Sequence, residues 1–333
     1  MIGVGSMGRN HARVYRDLDG VRLVAVVDAR ADLAEAEGTR YGARWYTDLH
    51  DMLGRERPQV VSVAVPTAAH PAVSHAALDA GCHVLVEKPI ASTVEEAREL
   101  IRHAQVANRV LMVGHVERFN PVVLDLKRRL DAGELGRIFQ IHTRRLGPFP
   151  VRIHDVGVVV DLATHDLDVM RYLTGAEAVR VQVETDREFH ASNEDLFAGL
   201  VRFDSGVLGI LGINWLTPIK IRELYVTGER GMFLANYVTQ ELFFYENEDA
   251  RRADWGLPNG QRSVSEGTMT RFPIAKAEPL RLELEAFVAA ARGDRCQQLV
   301  SPEDGLAALA LALAMVEAGQ RHETIYLQPE VSG

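Results

Sequence analysis

The sequence predicts an α/β protein of two domains: residues 1–114 form a parallel-sheet domain, and residues 115–333 form an α/β domain with a mainly antiparallel open sheet. Three observations predict this class. The chain of 333 residues exceeds the usual size of one domain. Over the first half, short apolar runs alternate with amphipathic stretches, as in βαβ units. Beyond residue 178, strand-like runs follow one another without helices between them.

Strand–helix repeats make up the predicted first domain, residues 1–114. Its predicted strands are 21–28, 60–65, 83–86 and 110–113, and its predicted helices are 31–42, 69–80 and 93–107. Gly81 follows the second of these helices, as expected of a helix-stop residue. Strands that alternate with helices pair in parallel. Their carboxyl ends then share one edge of the sheet, where α/β proteins bind ligands.

The second half begins with a helix and continues mostly as strands. We expect helices at 122–132 and 160–172, and strands at 137–145, 179–185, 196–203, 207–215, 221–227, 231–236 and 241–246. Asp204-Ser205-Gly206 and Gly228-Glu229-Arg230-Gly231 are hairpin signals, so most strand pairs should be antiparallel. Residues 248–275 are expected to form an irregular loop. Helices at 279–292 and 303–318 close the chain, and we expect the last to pack on the first domain.

Composition and charge exclude several classes of protein. Hydrophobic residues make up 47% and charged residues 25%, and no apolar run approaches the ~20 residues of a membrane span. A net charge of -9 without a long block of one sign argues against nucleic-acid binding. Cys82 and Cys296 make neither a disulfide framework nor a metal site. No export signal precedes the first strand, so we expect a cytoplasmic protein.

A glycine motif predicts a dinucleotide site. Gly3-Val4-Gly5-Ser6-Met7-Gly8 matches G-x-G-x-x-G and runs directly into a predicted helix, as in a Rossmann-type domain. The N-terminus of this helix, predicted over Arg9–Asp17, would present N–H groups to the phosphates, and Ser6 and Met7 of the loop are further candidate cofactor contacts. Asp28 lies 20 positions after Gly8, where a carboxylate binds ribose hydroxyls and repels a 2′-phosphate. NAD is therefore favoured over NADP, although the nearby Arg30 leaves dual specificity open. The structural alternative is a glycine turn beside a surface aspartate.

Further cofactor contacts are expected where the next strands end. The residues concerned are Pro66, Thr67, His70, Glu87 and Lys88. Only Met1 and Ile2 precede the glycine motif, whereas a central strand usually needs about five residues. We therefore expect the natural chain to begin upstream of Met1, which the intact mass of the native protein would test.

Two further motifs carry candidate catalytic residues. Lys88, in Glu87-Lys88-Pro89, follows a buried-looking strand and can stabilise alkoxide character on an oxygen as a hydride leaves carbon. Asp161, His165 and Asp168 are spaced i, i+4, i+7 on one predicted helix. A histidine with a carboxylate one turn away suits a general base, and Asp168 is a weaker candidate for the same support. An exposed Lys-Pro turn and a structural histidine are the alternatives. The triplet has no complementary ligand set elsewhere, so we expect no metal.

Together these motifs resemble the GFO/IDH/MocA family of glucose–fructose oxidoreductases, inositol dehydrogenases and rhizopine catabolism proteins. The resemblance spans nearly the whole chain and rests on the glycine loop, Asp28, Pro66-Thr67, Glu87-Lys88-Pro89, Gly114-His115, and Asp161 with His165. It implies an NAD-dependent oxidoreductase in which Lys88, His165 and Asp161 serve the reacting hydroxyl. Ala163 stands where the family often has glycine.

A finer resemblance concerns the substrate. Residues 114–121, 147–150 and 155–157 are similar to the UDP-N-acetylglucosamine 3-dehydrogenase branch, which implies oxidation of the 3-hydroxyl of a UDP-N-acetylhexosamine to a ketone. Candidate substrate-binding residues are His115, Arg118, Asn120, Arg144, Arg152, Asp161 and His165. The arginines, with Arg145, could meet a diphosphate; solvated surface charge is the alternative.

Three other functions stay open. They are NAD-dependent oxidation of a free polyol or sugar such as inositol or glucose, NAD-assisted glycoside hydrolysis, and non-catalytic NAD sensing. The intact set of Lys88, Asp161 and His165 argues against the last. The expected partners are a small-molecule sugar or nucleotide sugar and further copies of the chain, as a dimer or tetramer formed through the open sheet.

Overall fold

The computed structural model describes residues 1–149, 157–190, 193–248, 266–294 and 299–327. The chain divides into two compact units. The first comprises Met1–Phe119 and Ala277–Ala310, and the second comprises Asn120–Lys276 and Leu311–Gly333. The chain therefore enters each unit twice, and both units contain residues that are distant in sequence.

Helices and strands alternate from residue 6 to residue 114. In chain order they are α1 (Ser6–Asp17), β1 (Ala25–Val27), α2 (Ala31–Tyr41), β2 (Arg44–Tyr46), α3 (Leu49–Glu56), β3 (Val60–Val63), α4 (His70–Asp79), β4 (His83–Glu87), α5 (Val94–Val106) and β5 (Leu111–Gly114). Short 3₁₀ turns at Thr67–Ala69 and Val116–Phe119 follow β3 and β5.

From residue 121 onward most elements are strands. They are α6 (Pro121–Asp131), β6 (Ile138–Leu146), a π-helical turn (Val159–Ala163), α7 (Thr164–Thr174), β7 (Ala178–Asp186), β8 (Leu196–Phe203), β9 (Leu208–Asn214), β10 (Ile221–Gly228), β11 (Gly231–Asn236), β12 (Glu241–Asn247), β13 (Glu266–Phe272), α8 (Pro279–Ala291), α9 (Pro302–Arg321) and β14 (Ile325–Tyr326).

The sheet of the first unit is parallel, as predicted, and Ile2 takes the place of its central strand. Strands β3, β4 and β5 pair in that order, and β1 pairs with β2. Ile2 forms parallel bridges with both Val27 and Val63, which join the two groups of strands. The Ile2 amide donates to Ser62 O at 2.9 Å, and the Ala64 amide donates to Ile2 O at 2.8 Å. The Gly3 amide also donates to Val27 O at 2.7 Å, and the Val27 amide donates to Met1 O at 2.9 Å. Met1 to Gly3 thus make the pairings for which the sequence predicted a strand of about five residues.

The second unit contains a nine-stranded sheet in the order β13-β12-β11-β10-β6-β9-β8-β7-β14. Among the described strands, β6 and β9 pair in parallel and the remaining neighbours are antiparallel, which confirms the predicted sheet type. Alternate side chains of strands β6 to β11 are buried in one core with α6, α7 and the end of α9. The other face carries half-exposed side chains, so the sheet is open on that side.

Some predicted elements were wrong. The segment 248–275 was expected to be a loop, but Glu266–Phe272 is strand β13, paired with β12 so that Thr270 lies opposite Phe244. The sequence of this strand, EGTMTRF, is mostly polar and lacks the alternation of apolar residues that predicts a strand. A strand at the edge of a sheet can form without that alternation. Strand β1 is limited to Ala25–Val27, whereas the sequence predicted 21–28. Elements β2, α3 and β14 were not predicted.

No helix in the part of the chain that the structure describes combines the length and the apolar character needed to cross a membrane.

Candidate active site

The glycine loop has the geometry that a bound dinucleotide requires. Gly3 has a positive φ of 78°, and a Cβ there would lie 2.4 Å from Ala64 O. A Cβ at Gly8 would lie 1.9 Å from Gly3 O, so the start of α1 packs directly on the loop. At Gly5 an added Cβ would meet no atom within 4 Å. The backbone at Gly5 therefore borders open space that a pyrophosphate can occupy.

The N-terminus of α1 faces this loop without a side-chain cap. The helix begins at Ser6, its N-cap is Gly5, and no side chain accepts a hydrogen bond from its first amides. Ser6 is exposed and Met7 is half-buried. Helix N-terminal amides carry partial positive charge and bind phosphate. The loop and the helix together fit the pyrophosphate of NAD.

Asp28 is held beside the glycine loop by two backbone amides. One carboxylate oxygen accepts from Val4 N at 2.8 Å, and the other accepts from Arg30 N at 3.0 Å. The Arg30 side chain turns to Asp32, at 2.7 Å on the exposed surface. That hydrogen bond raises the pKa of Arg30 and lowers the pKa of Asp32. Asp28 is thus placed for a ribose, while Arg30 is engaged by a neighbouring carboxylate.

Glu87 anchors the loop that carries Lys88. It is the last residue of β4 and is only 8% exposed, and one of its oxygens lies 2.8 Å from Nε2 of the buried His11 on α1. A Cβ at Gly114 would lie 3.0 Å from the same oxygen. Burial tends to raise the pKa of Glu87, but the hydrogen bond and charge of His11 outweigh it, so the pKa lies below its ordinary value. Lys88 follows, half-buried, with a cis peptide bond to Pro89.

His70 links the ends of two loops at the predicted cofactor edge. It is buried, and its two ring nitrogens lie 2.9 Å from Val65 O and 2.8 Å from Pro89 O. Burial lowers its pKa, although both carbonyl contacts oppose that shift. Pro66 is exposed and Thr67 half-buried at the same edge. His70 therefore braces the Lys88 loop, and its direct contact with the cofactor stays a prediction.

Two buried residues near Glu87 were not predicted from the sequence. His11 and Glu283, the latter on α8, come together with Glu87 so that one potential ligand atom of each lies within 4.8 Å of the others. In the described part of the chain this is the group of three that could hold a metal ion. His11 falls on the buried stripe of α1 with Gly8, Ala12 and Tyr15, and that spacing could have revealed it. For Glu283, distant in sequence, no comparable signal exists.

In the second unit, the predicted catalytic helix begins with a π-helical turn. The Thr164 amide donates to Val159 O, an i to i+5 bond, and α7 starts at Thr164. Asp161 lies in the π turn and His165 in the first turn of α7, and both are half-buried. Asp168 is only 1% exposed. Asp161 and His165 are thus partly exposed, whereas Asp168 is buried. Single π turns often mark functional sites.

Glu194 caps this helix start. Its carboxylate accepts a hydrogen bond from Val159 N at 3.1 Å, and its backbone carbonyl accepts from Val158 N at 3.0 Å. A Cβ at Gly157 would lie 2.0 Å from the Glu194 carboxylate, so a larger residue there would displace this carboxylate. A carboxylate is favourable at a helix N-terminus. Glu194 therefore fixes the segment that presents Asp161.

A buried ion pair holds the helix to the sheet. Arg145 on β6 donates to both oxygens of Asp166, at 2.6 Å and 3.2 Å, and both side chains are at most 5% exposed. Asp166 is adjacent to His165 in the chain. Arg145, a candidate for a diphosphate in the sequence, is thus engaged by Asp166.

The predicted substrate-binding residues are placed as follows. His115 is buried, and Arg118 is buried with an ion pair to Asp304 at 3.0 Å. Asn120 is the N-cap of α6 and donates to Tyr237 O at 3.2 Å. Arg144 is half-buried and paired with Glu223 at 3.2 Å, while Arg152 lies outside the described residues. Substrate contacts by these residues remain predictions.

Comparison with known proteins identifies both halves. Residues 1–115 match the oxidoreductase family with an NAD-binding Rossmann fold, and residues 123–234 match the GFO/IDH/MocA C-terminal domain. The UDP-N-acetylglucosamine 3-dehydrogenase of Acidithiobacillus ferrooxidans is 30% identical over 300 residues, which are 89% of this chain and 88% of that protein. Inositol 2-dehydrogenase 1 of Saccharopolyspora erythraea is 31% identical over 332 residues, covering 96% of this chain and 92% of that protein.

A solved structure shows the same architecture. That of UDP-N-acetylglucosamine 3-dehydrogenase from Acidithiobacillus ferrooxidans has a TM-score of 0.83 and 28% identity, with 96% of each chain covered. The predicted fold class and the predicted NAD cofactor are confirmed. Because its two domains match the two domain families along most of its length, the chain belongs to the GFO/IDH/MocA family of NAD-binding oxidoreductases.

Proposed function

We propose that this chain oxidises a ring hydroxyl of a sugar or polyol to a ketone with NAD⁺, and reduces the ketone in reverse. The observation that carries the proposal is the half-buried pair of Asp161 and His165 at the π turn of one unit. A carboxylate near an imidazole is the arrangement of a general base, whose ordinary pKa lies near neutrality. The NAD-binding unit supplies a lysine just beyond β4.

Lys88 and His165 serve the same hydroxyl in this mechanism. His165 takes the hydroxyl proton, and the Lys88 ammonium stabilises the negative charge that develops on the oxygen. Asp161 orients the imidazole or the substrate. NAD⁺, when bound, accepts the hydride from the carbinol carbon. Gly3, Gly5 and Gly8 with the start of α1 would hold its pyrophosphate, and Asp28 its ribose.

We propose a UDP-N-acetylhexosamine as the substrate, oxidised at its 3-hydroxyl. Support comes from the relative of that activity, which aligns over 88% of its own length, and from Arg144 on β6. Arg144 is half-buried and bound to Glu223, so a diphosphate would have to compete for its guanidinium. A free polyol is the second candidate, because an inositol 2-dehydrogenase aligns over 92% of its length.

A substrate panel tests the proposal. Purified protein is incubated with NAD⁺ and, in separate reactions, UDP-N-acetylglucosamine, UDP-N-acetylgalactosamine, myo-inositol and glucose, and NADH is read by absorbance. We expect NADH with a UDP-sugar and a 3-keto product by mass spectrometry. NADH with inositol alone would move the assignment to the polyol. Sugar release without net NADH would indicate glycoside hydrolysis, and no turnover with any compound would favour a sensor.

Self-association through the open face of the sheet is also proposed, as is a cytoplasmic location. That face combines half-exposed apolar residues such as Ile210 and Leu234 with Leu200, which is 40% exposed. Apolar patches of this kind commonly mark subunit contacts. Light scattering on the purified protein should give the mass of a dimer or tetramer, and a monomer at micromolar concentration would contradict the proposal.

A further inference from the structure

Two histidines from neighbouring helices meet on the surface of the first unit. His75 lies on α4 and His103 on α5, and their rings stack with centroids 4.7 Å apart and planes at 23°. Their Nδ1 atoms are in direct contact. Neither residue belongs to the glycine loop, the Lys88 loop or any position assigned above to NAD or substrate. Facing imidazole nitrogens of this kind need a shared proton or a shared cation between them.

Asp79 sets the tautomer of one ring. Its carboxylate oxygen lies 3.0 Å from Nε2 of His103, so Nε2 carries the proton and donates it. Nδ1 of His103 then presents its lone pair towards His75. A carboxylate behind a histidine is the usual outer support of a metal-bound imidazole, because it fixes the ring and raises the basicity of the ligand.

The side chains around the two histidines add negative charge. His75 and Asp79 are four residues apart on α4, and Glu99 and His103 are four residues apart on α5. Asp79 and Glu99 are both exposed; Arg102 is the cation that borders the same groove.

We propose that the His75 and His103 side chains move apart to admit one divalent transition-metal ion, which both bind through Nδ1, with Asp79 supporting His103 and water completing the coordination. Imidazole ligands favour Zn²⁺, Ni²⁺ or Cu²⁺ over Mg²⁺ and Ca²⁺, which prefer oxygen. The ion would tie the carboxyl-terminal half of α4 to that of α5. This site stands apart from the proposed catalysis, so its test does not depend on the substrate.

Calorimetric titration of the chelator-treated, full-length protein with Zn²⁺ tests the site. We expect one saturable equivalent for the wild type, and loss of that binding in H75Q and in H103Q. D79N should weaken binding about 10- to 100-fold, as removal of outer-shell partners commonly does. H322Q is the matched control, because His322 is an exposed histidine that lies 3.9 Å from Glu184 in the other unit. It should bind Zn²⁺ like the wild type.

Three results would overturn the site. One is a wild type that shows no saturable Zn²⁺ binding at micromolar to millimolar concentration. Another is a folded H75Q/H103Q double variant that retains the wild-type equivalent. The third is loss of binding in E283Q with retention in H103Q, which would place the ion at His11, Glu87 and Glu283. Circular dichroism confirms that each variant is folded, and histidine NMR should show Zn²⁺-dependent shifts at His75 and His103.

Discussion

At the scale of single residues, we expect the charge of Asp28 to disfavour a 2′-phosphate in the cofactor site. Both carboxylate oxygens are engaged by backbone amides of Val4 and Arg30, so the side chain cannot easily turn away from the ribose position. From the sequence, Arg30 could have accommodated the 2′-phosphate of NADP, but in the structure it is paired with Asp32. Both features favour NAD over NADP.

We predict that Asp28→Asn lowers kcat/KM for NAD⁺ about 10- to 100-fold, the effect of losing one hydrogen bond to a charged group. The value for NADP⁺ should fall less or rise, because the repelling charge is gone. Asp32→Asn is the control for Arg30; since the pair is exposed, it should shift the NADP⁺/NAD⁺ ratio by less than about fivefold. Initial rates with both cofactors measure these ratios. An unchanged ratio in Asp28→Asn would remove Asp28 from cofactor selection.

A second prediction at this scale concerns how much the Arg145–Asp166 pair contributes to stability. Replacing Asp166 by Asn leaves a buried guanidinium without its counter-charge, which commonly costs about 3–5 kcal/mol. Urea unfolding should show that loss. Glu285→Gln, which breaks the exposed pair with Arg281, should cost less than about 1 kcal/mol. Equal effects in the two variants would mean that burial does not strengthen the Arg145 pair.

At the scale of elements, the start of the catalytic helix depends on a cap from a distant segment. Glu194 precedes β8, and its carboxylate reaches Val159 at the first turn of the helix. Asp195, next in the chain, accepts hydrogen bonds from the amides of residues 188–190 at 2.6–2.9 Å. Two adjacent carboxylates therefore organise two separate backbone segments of the second unit.

Removal of the cap should affect catalysis more than cofactor binding. We predict that Glu194→Ala lowers kcat, because Asp161 loses its fixed position, and costs about 1 kcal/mol of stability. Glu194→Gln keeps an acceptor oxygen and should recover most of both. NAD⁺ affinity, measured by fluorescence quenching, should stay close to the wild-type value in both variants. Wild-type kcat in Glu194→Ala would show that the cap does not position the site.

We predict that Asp195 makes the free energy of unfolding depend on pH. Burial would raise its pKa, but the three amide donors outweigh burial and hold the pKa below its ordinary value. A lowered folded-state pKa means that the ionised form stabilises the fold above about pH 4 and that this stabilisation fades as pH falls through the folded value. The unfolding free energy of Asp195→Asn should therefore lie about 1.5–3 kcal/mol below the wild type at pH 7. Urea unfolding should show this gap narrowing below pH 4, and a constant gap would contradict the assignment.

The spacing of apolar residues predicted most helices and strands, because that spacing reflects which side chains are buried. It failed for elements whose side chains are mostly exposed or polar. The polar edge strand β13 and the two-residue strand β14 carry little apolar signal. Likewise, helical spacing placed Asp161, His165 and Asp168 on one face, but the π turn at 159–163 changes the register and Asp168 is buried. The roles of Gly3 and Gly8 could be predicted because they belong to one short motif. The contacts of Glu194 and Glu283 could not, because their partners are distant in sequence.

At the scale of the molecule, the proposed mechanism uses one group from each unit. The ammonium of Lys88 follows a strand of the NAD-binding unit, and the imidazole of His165 lies on a helix of the other unit. The mechanism assigns both to one oxygen: one group removes its proton and the other stabilises its charge. Residues that act together on one transition state have strongly non-additive effects on turnover.

A double-mutant cycle on kcat, with the substrate that the panel identifies, tests this claim most directly. Lys88→Ala and His165→Ala should each lower kcat about 10²- to 10⁴-fold with NAD⁺ affinity preserved. The double variant should be little slower than the worse single variant, because the two groups act as a unit. Wild-type turnover in either single variant, or losses that multiply in the double variant, would contradict a shared reacting oxygen.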